Sequence, residues 1–275
     1  MNELLSQPAL QSSLIPFCAA LATGVLLMAG ARRWAGLAVL VGFYAAVYPI
    51  AGFEFAPLTS TRKILLLGLA AIPVAVVLDT LRRKARVGSG VLFWLAGAAL
   101  LWVVWPVVQR EELRVALALG GMGAIYAVLV TSFASDLAAK PRHAGVALLT
   151  MSLGTGGAAL MGASALIGQL GLALGAATGA WLLLAMWKPT MGAGNTLTLP
   201  VGFLNALLGY GAFVYARLPW FALLPLGLIP LLVRFVAPDA KVASWRQTLW
   251  LVLLASPLAA LAVFLSWQVE GAPPL

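Results

Sequence analysis

The stretch AGVALLTMSLGTGGAALMGASALIGQLGLALGAATGAWLLLAMW, Ala144 to Trp187, runs for 44 residues without one charged side chain. A single α-helix rising about 1.5 Å per residue would carry it about 66 Å, roughly twice the ~30 Å hydrocarbon layer of a bilayer. Two crossings joined near Gly162–Ala165 fit the length. A water-soluble domain has no place for so long an uncharged run.

The rest of the chain agrees. Of 275 residues, 63% are apolar and only 9% charged, and the mean hydropathy is +1.02. Soluble domains hold about 25% charged residues, so an ordinary globular fold is excluded, as is disorder. The single cysteine, Cys18, excludes a disulfide scaffold. A membrane barrel would show alternating segments of about ten residues, whereas runs such as Ile64 to Leu78 and Leu249 to Leu265 are apolar on every side. Lipid offers no partner to a free backbone N–H or C=O, so the spans must be helical.

These considerations predict an all-α, polytopic integral membrane helix bundle of about ten transmembrane helices. The spans are 12–30, 34–52, 63–81, 88–108, 114–134, 144–163, 166–187, 197–216, 219–236 and 246–267, within one transmembrane domain (1–275) and with no soluble domain. With ten spans, alternate connections hold 12 of the 17 lysines and arginines, including Arg32, Arg33, Arg82, Arg83, Lys84, Arg86, Lys140, Arg142 and Arg234. Basic residues accumulate on the cytoplasmic side, so both termini are expected outside the cytoplasm of a multi-pass protein of the cell (inner) membrane. Trp34, Trp187 and Trp245 then fall at inner ends and Trp105, Trp220 and Trp267 at outer ends, where an amphipathic ring prefers the interface. The first span resembles a signal peptide at Ala29-Gly30-Ala31, but Met1 to Ser13 carries only Glu3 where a positive region is needed, so a retained helix is expected.

Ten spans divide five plus five, which would make the halves inverted repeats of the kind found in transporters. The third helix of each half carries a proline, Pro73 and Pro200, but residues 12–134 and 144–267 show no convincing match by eye. The net charge of +9 is mostly the inner-face excess. Membrane lipids, including anionic headgroups at the inner face, are therefore the expected partners, and nucleic acid is not. Arg82-Arg83-Lys84-Ala85-Arg86 is the densest basic run, read first as a topology anchor.

Catalytic patterns fail on inspection. One histidine and one cysteine on different helices leave no metal or haem site, and no cofactor is expected. Gly162-Ala163-Ser164-Ala165 resembles the GxSx nucleophile segment of rhomboid proteases. The only possible histidine base, His143, begins the sixth span and Ser164 ends it, about 30 Å away against a reach of about 3 Å. Ser60-Thr61-Arg62-Lys63 matches S-x-x-K without the companion motifs of β-lactamase-like enzymes. Gly154-Thr155-Gly156-Gly157 lies inside an apolar helix, not after a strand as a phosphate loop would, and there is no Walker A pattern. No acid or base lies near the centre of any span, which disfavours a proton-coupled pump.

Three patterns remain. On the outer loop, Glu54 precedes Pro57 and the cations Arg62 and Lys63 stand at a helix N-terminus, opposing its dipole. Ser60 or Thr61 is expected to cap that helix. The trio is either a local salt bridge or an anion or headgroup site. On the eighth span, Asn195, Thr198, Gly202, Asn205, Gly209 and Ala212 recur at steps of three and four and share a face. That face either packs tightly, with Asn205 bonded to a neighbouring helix, or walls a cavity in which Asn205 and Thr198 contact substrate. On the seventh, Gly171, Gly175 and Gly179 repeat every four residues, suited to close packing within the bundle, to a homo-oligomer seam or to a membrane partner subunit. At the inner end of the third span, Asp79 is spaced to pair with Arg82 or Arg83.

The function expected first is a permease for a small molecule or lipid, without its own ATPase. A non-catalytic membrane subunit or assembly factor of a larger complex is second, and a membrane-embedded lipid-acting enzyme third. The size is similar to that of ten-helix drug and metabolite exporters, but their termini are cytoplasmic, opposite to this map.

Overall fold

A computed structural model describes residues 7–54, 56–81, 89–162, 164–188, 191–236 and 244–270. Among these the chain is all-helical. A short turn of helix, Pro8–Ser12, leads into α1 (Leu14–Gly30). It is followed by α2 (Leu37–Ala51), α3 (Ser60–Leu81), α4 (Ser89–Val108), α5 (Leu113–Asp136), α6 (Pro141–Met161), α7 (Ala165–Trp187), α8 (Gly194–Tyr215), α9 (Leu223–Phe235) and α10 (Ser244–Glu270). Seven of these segments are long and apolar enough to cross a membrane, which fits a multi-pass membrane helix bundle. Apolar helices over Leu37–Ala51, Trp94–Val108 and Trp220–Phe235 are shorter. The 15 residues of α2 reach only about 23 Å, less than the hydrocarbon thickness.

The uncharged stretch that opens the reading is two helices. Met161 ends α6, and Ser164 caps α7 by accepting the Ile167 N–H at 3.3 Å. Within it, α6 and α7 approach backbone to backbone. A Cβ on Gly171 would stand 2.6 Å from Gly156 Cα, and one on Gly156 would stand 2.6 Å from Leu172 N. Only glycine permits that approach.

Helix α8 is the hub. Its residues from Asn195 to Ala212 are buried without interruption, and it packs against α3, α5 and α6 and touches α2, α4, α7 and α9. Around it, α1 and α2 lie on α7, α4 lies on α5, and α6 lies along α10, with α9 beside it. In a five-plus-five division the α1–α2 and α4–α5 packings correspond to α6–α7 and α9–α10, whereas α6 also lies along α10 and α1 on α7. Two neighbours in sequence, α3 and α4, barely meet.

The basic run at Arg82–Arg86, together with Asp239 and Lys241, lies outside the described residues.

Candidate functional site

The N-terminus of α8 is held from another helix. Asp79, near the end of α3, accepts the Asn195 N–H at 2.8 Å, the Asn195 Nδ2 at 2.7 Å and the Thr196 N–H at 3.1 Å. The first N–H groups of a helix have no intrahelical partner, and a carboxylate answers both their hydrogen-bonding need and the positive end of the dipole. Gly194 makes the approach possible. Its φ of +60° is left-handed, and a Cβ there would sit 2.8 Å from Asp79 Oδ2. The expected local pairing of Asp79 with Arg82 or Arg83 falls on undescribed residues, and the carboxylate is engaged by α8.

Midway along α8, Asn205 is fully buried and bonded across to α6, with Nδ2 donating to Ser152 Oγ at 2.9 Å and to Val201 O at 3.0 Å. Its Oδ1 is buried with no partner. Thr198, on the same face, returns its hydroxyl to Gly194 O at 3.0 Å. Gly202 lets α5 approach, since a Cβ there would stand 2.6 Å from Ala134 Cβ. Gly209 lies under the Tyr126 hydroxyl, 3.3 Å from where its Cβ would be, with Thr155 of α6 beside it. The polar and small face of α8 thus looks onto α5 and α6.

That seam is under-bonded. Hydroxyls on helices in this chain usually bond a carbonyl one turn back: Ser132 to Val128 O, Thr150 to Val146 O, Thr178 to Leu174 O and Ser266 to Ala262 O, at 2.6–2.8 Å. Thr131, Ser135 and Tyr126 on α5, and Thr155 on α6, are buried with no partner for their oxygens. Neither periodicity nor composition distinguishes these from the self-bonded hydroxyls, so sequence reasoning passed over them. Tyr126 and Ser135, nine residues apart, lie on opposite sides of α5, with Tyr126 beside Gly209 of α8 and Thr131 facing α3 and α4.

The Glu54 end is separate. Arg62 and Glu54 form an ion pair at 3.7 Å, with the Glu54 side chain 86% exposed, and Arg62 also donates to Pro57 O at 2.8 Å. Lys63 does not join them. Only 9% exposed, it turns inward, donates to Trp102 O on α4 at 3.1 Å and lies 5.0 Å from the Trp102 ring centroid. That carbonyl is free because its helical donor would be residue 106, which is proline. The helix begins at Ser60, and its cap falls one residue earlier than expected, on Thr59, whose Oγ1 accepts the Arg62 N–H at 3.4 Å.

At the opposite, basic end, contacts far apart in sequence tie α5, α6, α9 and α10 together. Asp136 pairs with Arg234, Lys140 donates to Arg234 O at 3.1 Å and Arg142 donates to Gln247 Oε1 at 3.0 Å. His143 Nε2 lies 3.1 Å from Val236 O. His143 and Ser164 serve opposite ends of α6.

The glycines of α7 differ in how close their neighbours come. Gly171 meets backbone, Gly175 meets the Leu153 side chain at 2.7 Å, and Gly179 meets only Leu149 at an ordinary 3.6 Å. The chain matches no protein-family model and no curated protein.

Proposed function

We propose that the chain is a multi-pass membrane permease whose solute moves along α8 at its seam with α5 and α6. One observation carries the reading. At this seam Tyr126, Thr155 and Asn205 keep three buried polar atoms unbonded. Each such atom costs about 1–3 kcal/mol, and a serine or threonine can escape that cost by rotating onto its own helix. Hydroxyls held toward the seam are available to a solute that passes through it. The seam has no charged side chain at its centre, which suits an uncharged molecule, and its closed packing suits a state between openings. In this reading all ten helices cross the membrane, Asn205 and Thr198 contact solute, and Glu54 and Arg62 stand at the mouth.

The test uses purified protein in sealed vesicles, with two probes. Glycerol entry is followed by vesicle swelling, and transfer of a fluorescent phospholipid between leaflets by chemical quenching from outside. Movement of either, abolished by Asn205→Leu or Thr155→Val at unchanged protein abundance, supports the permease. No movement of either probe, with a membrane protein co-purifying in fixed ratio, overturns it in favour of a non-catalytic subunit.

A further inference from the structure

Beyond the Lys63–Trp102 contact α3 and α4 touch little, and a groove lies between them. Its walls include Ala71 and Val74 on α3 and Leu95 and Ala96 on α4, beside the alanines Ala70 and Ala99, and its floor includes Thr131 of α5 and Phe203 of α8. The cavity volume is about 220 Å³, below the roughly 300–1,000 Å³ of pockets that enclose a whole drug-sized ligand, so the groove has room for part of a molecule whose remainder lies in the bilayer. Ala70 and Ala71 lie near the middle of α3, a helix long and apolar enough to cross a membrane, so the mouth opens into hydrocarbon and not into water.

Thr131 is the single polar side chain among the lining residues. It is 2% exposed, and its hydroxyl bonds nothing, although the next residue, Ser132, is bonded to Val128 O. An empty or purely lipid-filled groove would leave that hydroxyl unsatisfied, whereas rotation onto its own helix would satisfy it. We infer that the α3–α4 groove binds a lipid-soluble amphiphile, a hydrocarbon body carrying an oxygen acceptor such as a carbonyl, with the Thr131 hydroxyl as hydrogen-bond donor. The alanines among the wall residues leave room for part of the hydrocarbon body. The floor belongs to α5 and α8, two helices of the polar seam, so the groove adjoins the proposed route across those helices. The inference deepens the permease reading and rests on it for the molecule's onward movement; binding itself does not require it.

The experiment is photolabelling of the full chain in lipid nanodiscs with two diazirine probes of equal length, a long-chain ketone and the corresponding alkane. The ketone is expected to label the peptides containing Ala70–Ala71 and Ala96–Ala99. Thr131→Val, nearly the same in shape, should lower ketone labelling about threefold to tenfold, the worth of one hydrogen bond in a membrane protein, and leave alkane labelling unchanged. Ala71→Leu should block both probes. Equal labelling by ketone and alkane with no response to Thr131→Val would mean ordinary lipid filling and would overturn the inference. So would labelling spread over all lipid-facing helices, or cross-links joining two copies through the groove. Labelling that responds to Thr131→Val supports the site even if Asn205→Leu leaves vesicle transport unaltered; that second result would count against the permease alone.

Discussion

Two side chains show how single residues join helices, one pair far apart in the chain and the other consecutive but barely in contact. Asp79 closes the N-terminus of α8 from α3. Asp79→Ala should lower stability by about 1–2 kcal/mol, the cost of losing a helix cap, and Asp79→Asn should cost less because one acceptor oxygen remains. Thermal unfolding of the purified protein in detergent measures both. Lys63 closes the gap that Pro106 leaves in α4. Lys63→Met is expected to cost about 1–3 kcal/mol by stranding the Trp102 carbonyl. In Pro106→Ala the restored N–H should bond that carbonyl, so Lys63→Met should then cost about 1 kcal/mol less. A double-mutant cycle reads this as non-additivity. Additive effects would mean that the ammonium is not serving the carbonyl.

Among the elements, α6 and α7 are joined at glycines with little tolerance. Gly171→Ala would drive a methyl group into the backbone of Gly156 and should cost about 1–3 kcal/mol, the range for overpacking. Gly179→Ala, which meets only ordinary contact with Leu149, should be close to neutral. Protein abundance and unfolding temperature in the two variants separate them. Equal tolerance at both positions would show that the helices are not held this closely. The four-residue spacing of Gly171, Gly175 and Gly179 was legible in the sequence. The ranking was not, because it depends on which atoms of α6 face each position.

Taken whole, the molecule has polar contacts at both ends and a buried hub in α8. If all ten helices cross, both termini lie on one side, and the distribution of basic residues in the sequence predicts that side to be non-cytoplasmic. Reporter fusions at the N- and C-termini should therefore both report from outside the cytoplasm. A split result would require an odd number of crossings, with one of the shorter helices, such as Leu37–Ala51, lying in the membrane without traversing it.

The helical class and the approximate helix ends were legible in the sequence, because the demand for apolar length is local and each helix must meet it alone. So was the break in Ala144–Trp187, since no single helix of that length suits a bilayer. Partnerships were decided by tertiary structure alone. Asp79 and Asn195 are 116 residues apart, and Arg142 and Gln247 are 105 apart. A uniformly apolar helix gives no sign of which face meets which neighbour. For the same reason Thr131 and Thr150 look alike in the sequence, both threonines within long apolar helices. Only the packed bundle leaves one hydroxyl bonded to its own helix and the other buried without a partner beside a groove.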